Sequence, residues 1–200
     1  MKNLWLVSLF FPIFCFAQVE QQIDAFSESY SLEAVGNYAK AIEEIEKIYD
    51  DNSYDINLRL GWLYYNLGNY FESKNKYQKT IELMPYSVEA LLGYVLPVAA
   101  MGNWNEVVKT YEKILEIDPQ NSVVNYRMGA IFYERKEYTK ALSYCEKTVN
   151  LYPFDYDSVI LLAWINYQMG QFRESKVLFQ KSMLIKPNNS SAEYGLSLIK

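Results

Sequence analysis

Four prolines, Pro85, Pro119, Pro153 and Pro187, stand at intervals of 34 residues. Each closes a similar run: Ile81-Glu82-Leu83-Met84, Leu115-Glu116-Ile117-Asp118, Val149-Asn150-Leu151-Tyr152 and Met183-Leu184-Ile185-Lys186. A second landmark keeps the same interval. Gly68-Asn69-Tyr70, Gly102-Asn103-Trp104, Lys136-Glu137-Tyr138 and Gly170-Gln171-Phe172 are turn signals upstream of those prolines. Two independent landmarks with one period define an internally repeated chain. Each unit of such a chain covers the apolar face of its neighbour instead of sharing one central core.

Composition narrows what those repeats can do. Half of the 200 residues are hydrophobic, enough for a folded core and far too many for a disordered tail. The formal charge is −5, which argues against nucleic acid, since phosphate is met by Lys and Arg. There is no histidine, so a His base, a Ser-His-Asp triad, a Cys-His dyad and a His-ligated metal are excluded. Two cysteines cannot make a Cys₄ zinc site or a dense disulfide framework. No Gly-rich phosphate loop, DxDxDG calcium loop or GxSxG elbow is present. The carboxylates read as solvated helix faces, as in Ala41-Ile42-Glu43-Glu44-Ile45-Glu46-Lys47. The expectation is a non-enzymatic chain that needs no cofactor and no metal.

Met1 to Ala17 reads as a secretory signal. Lys2 supplies the charged start, Leu4 to Phe14 the apolar run, and Cys15 and Ala17 the small residues at −3 and −1 of a cut after Ala17. The run contains Pro12 and is shorter than the about 20 residues of a membrane span. Phe14 stands where a lipoprotein signal requires a small residue before Cys15. Cleavage leaves 18 basic and 24 acidic residues and Cys145 alone, with no stable membrane anchor. A lone thiol forms no internal disulfide; it is either reactive or a small buried hydrophobe.

The 34-residue grammar resembles the tetratricopeptide repeat family. Its pattern is a helix A with a small residue at position 8, a turn, then a helix B. Helix B has small residues at positions 20 and 27, a large one at 24 and a proline at 32. Residues 54–87 match through Leu60, Gly61, Tyr64, Gly68, Tyr70, Ser73, Tyr77, Thr80 and Pro85. Residues 88–121 match through Tyr94, Gly102, Trp104, Tyr111 and Pro119. Residues 122–155 supply Met128, Gly129, Phe132, Tyr138, Ala141, Cys145, Thr148 and Pro153. Residues 156–189 supply Leu162, Ala163, Gly170, Phe172, Ser175, Phe179, Ser182 and Pro187.

The resemblance implies an all-α fold over residues 18–200, a right-handed superhelical solenoid of antiparallel helix pairs. Residues 20–53 resemble a divergent first repeat, with Gly36 only 32 residues before Gly68 and no closing proline. Residues 190–200 resemble a capping half-repeat. Cys145 falls at position 24, inside the packing, which favours its buried reading. Residues 88–121 break the pattern with Val95 at position 8 and Pro97 inside helix A. The proline removes the bond to the Gly93 carbonyl, giving a tolerated kink or a hinge that offers that carbonyl to a ligand.

In the family, helix A positions 2, 5, 6, 9, 12 and 13 face a concave groove. Carried over residue by residue, the groove expected to bind a partner contains Arg59, Trp62, Tyr65 and Asn66, then Leu92 and Leu96. It continues through Tyr126, Arg127 and Tyr133, then Ile160, Trp164, Tyr167 and Gln168. The family's carboxylate clamp, a Lys at position 5 and an Asn at position 9, is absent. Position 5 is Leu58, Leu92, Tyr126 and Ile160, and position 9 is Trp62, Leu96, Ala130 and Trp164. Trp62 and Trp164 are either anchors or packing between neighbouring helices. Arg59 and Arg127 either hold a carboxylate or pair with nearby acids such as Asp55.

The expected function is an exported scaffold, periplasmic or secreted, that binds a polypeptide segment of a cell-envelope partner in an aromatic groove. The alternative is a glycan or cell-wall binder using the same aromatic faces, and a groove filled by a second copy of the chain is a third arrangement. An exported chain beginning at Gln18 is the expected outcome at the N-terminus, checked by intact-mass measurement of the purified protein.

Overall fold

The computed structural model describes residues 10–199, with side chains from residue 19 onward. The expected signal segment, residues 1–17, lies outside the described side chains, and its first nine residues lie outside the described backbone. Among the described residues the chain is all-helical. The helices are α1 Phe10–Ala34, α2 Tyr38–Glu46, α3 Tyr54–Leu67, α4 Tyr70–Leu83, α5 Val88–Ala100 and α6 Trp104–Ile117. They continue with α7 Ser122–Glu134, α8 Tyr138–Leu151, α9 Tyr156–Gln168, α10 Phe172–Ile185 and α11 Ser190–Leu198. The chain forms two compact units, up to Thr110 and from Tyr111, with the boundary inside α6.

The repeated turns follow from local chemistry. Within a pair, the helix A carbonyls are closed by a left-handed residue. Gly68 takes φ 85°, and the amide of Asn69 donates to the Tyr64 carbonyl at 2.9 Å. Lys136 adopts the same conformation, at φ 60°, where the other pairs have glycine. Between pairs, the prolines end each helix B because they carry no amide hydrogen. Two residues after each proline a polar side chain caps the next helix: Ser87, Asn121, Asp155 and Asn189 accept from the amides of Ala90, Val124, Ser158 and Ala192.

In the first unit, α2 packs on α3 through Ala41, Ile42 and Ile45 against Ile56, Leu60 and Leu63. The Tyr77 ring of α4 then lies between α3 and α5. A Cβ added at Gly61 would sit 2.9 Å from that ring, and one at Gly93 only 2.2 Å from it. The α5 helix runs through buried Pro97 to Ala100. The lost hydrogen bond therefore falls one turn from the helix end, where carbonyl partners change in any case.

The second unit uses the same device with different sizes. Phe179 of α10 packs on Ala163 of α9 and Ala192 of α11, and a Cβ at Gly195 would meet its ring at 2.3 Å. Ser175 Oγ donates to the Ala163 carbonyl at 2.9 Å, as Ser73 Oγ does to the Gly61 carbonyl at 2.7 Å. Cys145 occupies the corresponding place on α8, fully buried, and a Cβ added at Gly129 would sit only 2.3 Å from its sulfur. Burial pushes this thiol up to about 12, so it packs as a small hydrophobe and is no nucleophile near neutral pH. Gly129→Ala is expected to destabilise the protein by about 1–3 kcal/mol through overpacking. Adding Cys145→Ala should recover most of that loss, as read by urea denaturation of the single and double variants.

Candidate functional site

In the first unit two of the candidate residues, Arg59 and Trp62, meet at one carboxylate. Arg59 projects from α3 toward α1 and is only 6% exposed. Its Nε and Nη2 donate to Ser29 Oγ at 3.2 and 3.0 Å, and its Nη1 pairs with Glu33. The guanidinium lies 3.9 Å from the centroid of the Tyr30 ring. The other oxygen of Glu33 accepts the indole N–H of Trp62. Arg59 therefore has Glu33 as its partner, and Asp55 stays exposed in the first turn of α3. Its donors are committed to holding α1 on α3.

Trp62, one turn on, remains 38% exposed. Its ring lies 6.2 Å from Tyr65, which lies 5.7 Å from Tyr70 at the start of α4. Asn66 turns back onto its own helix, donating to the Trp62 carbonyl at 2.9 Å. Leu92 and Leu96 are half-buried on α5. The unit thus carries a short aromatic edge whose leading indole is oriented by a buried ion pair.

In the second unit, Trp164 holds the same repeat position as Trp62 in a different setting. Its ring meets Phe179 edge-on at 4.8 Å and lies 5.7 Å from Tyr167 and 6.1 Å from Tyr194. Its N–H donates to Ser191 Oγ at 2.9 Å, so α11 covers it. Ile160 joins the same cluster. Tyr167 continues to Phe172 at 5.6 Å, and Tyr133 to Tyr138 at 5.7 Å, so both tyrosines staple a helix A to its helix B. Gln168 hydrogen-bonds the Tyr133 phenol, whose pKa is raised mainly by burial.

Arg127 differs from Arg59. It is exposed, makes no ion pair among the described residues, and acts electrostatically on the phenols of Tyr111 and Tyr126. Burial raises both phenols, so they stay protonated and able to donate.

Sequence reasoning overlooked Glu33 and Ser191, because both lie in the segments that depart furthest from the 34-residue pattern. The signal for Glu33 is the 32-residue offset from Gly36 to Gly68, which gives Glu33 the repeat register of Tyr65. Removing one partner of a buried pair leaves an uncompensated charge, which costs about 3–5 kcal/mol. Glu33→Ala is accordingly expected to lower stability by about 3 kcal/mol, with Glu33→Leu plus Arg59→Met recovering most of it, as measured by urea denaturation.

Models of the tetratricopeptide repeat match residues 55–85, 124–155 and 156–189. Protein O-mannosyl-transferase TMTC1 of Homo sapiens is 33% identical over 97 residues, which are 48% of this chain and 11% of that protein. Type IV pilus assembly protein PilF of Pseudomonas aeruginosa is 27% identical over 145 residues, 70% of this chain and 57% of that protein. The chain thus spans less than two thirds of the length of either relative. Among solved structures, a tetratricopeptide repeat protein from Parabacteroides merdae has a TM-score of 0.77 at 15% identity, covering 90% of this chain and 72% of that one. MamA from Desulfovibrio magneticus RS-1 has a TM-score of 0.72 at 16% identity, covering 85% and 97%. The helix pairs of both units and the matches to them lead to one conclusion: residues 55–85, 124–155 and 156–189 are tetratricopeptide repeats, an architecture consistent with a protein-interaction scaffold.

Proposed function

We propose that the chain is a non-enzymatic exported scaffold that holds a polypeptide segment of a cell-envelope partner against its helix A faces. The observation that carries this reading is the Trp62 edge. A large aromatic ring is left exposed, yet its orientation is set by Glu33 and its flank by Tyr65. An anchor held in place before binding loses little freedom when a partner arrives, and such residues dominate interface energies. In the second unit, Arg127 beside Tyr126 can take a carboxylate of the bound segment.

Export rests on the apolar N-terminal segment and on the kind of relative the chain has. PilF is named for assembly of the type IV pilus. No helix among the described residues is long and apolar enough to cross a membrane.

Groove binding of this kind sits near micromolar, about −8 kcal/mol. Trp62→Ala is expected to cost about 2 kcal/mol of binding, roughly 30-fold in Kd, while leaving helical content unchanged. Trp164→Ala should instead lower stability by about 3 kcal/mol, because its ring is packed. The test is crosslinked capture from the envelope fraction with the native chain and the Trp62→Ala variant, with circular dichroism on both. A polypeptide captured by the first and lost from the folded second is the expected result. Equal capture by both, or a Trp fluorescence response to neutral oligosaccharides with no polypeptide captured, overturns it.

A further inference from the structure

The repeats supply their own control for what an outward helix B surface should look like. Repeat positions 22 and 29 are solvent-facing in the first three full repeats. They are Asn75, Lys109 and Ser143 at the first position and Glu82, Glu116 and Asn150 at the second, all exposed and polar. In α10 the same positions are Val177 and Leu184, 58% and 76% exposed. Arg173, Lys176 and Lys181 stand beside them on that helix, and none makes an ion pair among the described residues. An apolar pair framed by three cations, only where the last repeat departs from its predecessors, is the pattern of a docking face for an acidic, partly apolar helix.

This chain carries such a helix. Glu20, Asp24 and Glu28 recur at helical spacing along α1, exposed and without ion pairs among the described residues. Val19 and Ile23 lie beside them, 47% and 61% exposed. Counted from the Gly36 and Gly68 turns, Asp24 and Glu28 hold the register of Ile56 and Leu60, the residues with which α3 packs on a helix B. The surface that elsewhere receives a helix B is acidic on α1. Residues 19–53 contain nine acids and two lysines, whereas α10 contains three cations and one acid.

We propose that the outward face of α10 receives the acidic face of α1 from a second copy of this chain. The contact is heterologous, joining two different surfaces, so each copy retains one unused face after pairing. Its charged component is screened by salt. It uses neither Trp62 nor Arg127, so it stands or falls independently of polypeptide binding.

The test is sedimentation velocity of the full chain, as delivered by its host, over a range of concentrations. Two surface variants accompany it: Val177→Asp with Leu184→Asp, and Asp24→Lys with Glu28→Lys. The native chain should associate, and more weakly in high salt. Each variant alone should show a self-association Kd raised about tenfold or more. Mixing the two should restore a one-to-one complex, since each contributes the face that the other has lost. Arg173→Gln with Lys181→Gln replaces the first variant if circular dichroism shows that its helix is disturbed. A native chain that stays monomeric, association that survives in both variants, or binding of the α10 face to anionic vesicles without self-association overturns the proposal.

Discussion

The spacing of successive helices rests on an exclusion: a ring and a Cβ cannot share the same space. Tyr77 is accommodated only because Gly61 and Gly93 lack side chains, and Phe179 only because Gly195 does. Where the inserted residue shrinks to Cys145, the corresponding place on the next helix A passes from glycine to Leu161. Around Tyr77, Cys145 and Phe179 a larger residue on one helix is thus matched by a smaller one on its neighbour.

The same logic separates the two tryptophans. Repeat position alone makes Trp62 and Trp164 equivalent, but the helices beside them differ. Trp164 meets a half-repeat whose Ser191 and Tyr194 close over it, and it packs, partly buried, against Phe179 of the core. Trp62 meets α1, whose Ser29 and Glu33 engage the polar side of Arg59 and leave the ring at the surface. A buried ion pair adds little net stability compared with an apolar contact, yet it fixes direction. Here it fixes the direction of an indole.

Much of this was legible in the residues. The prolines and the turn signals at one interval carried the all-helical repeat architecture, because each marks a place where helix geometry has to stop. The register also located Cys145 inside the packing, and its burial follows from that position. What could not be read was the identity of long-range partners. Arg59 pairs with a carboxylate 26 residues earlier, on a helix outside the regular period, whereas Asp55 looked closer along the chain. The groove positions told which side chains share a face. They did not tell which of those side chains α1 or α11 would cover.

Glu33 makes two demands meet at one carboxylate. One oxygen neutralises the charge that joins α1 to α3, and the other orients the exposed ring of Trp62. Where that ring anchors the proposed partner, selection on recognition and selection on folding act on the same atoms and cannot be tuned apart. A lineage that shifts toward a new partner has little freedom at Glu33, Arg59 or Trp62. Its variation is channelled instead to Tyr65, Asn66 and the leucines of α5, where a side chain can change without unpairing a charge.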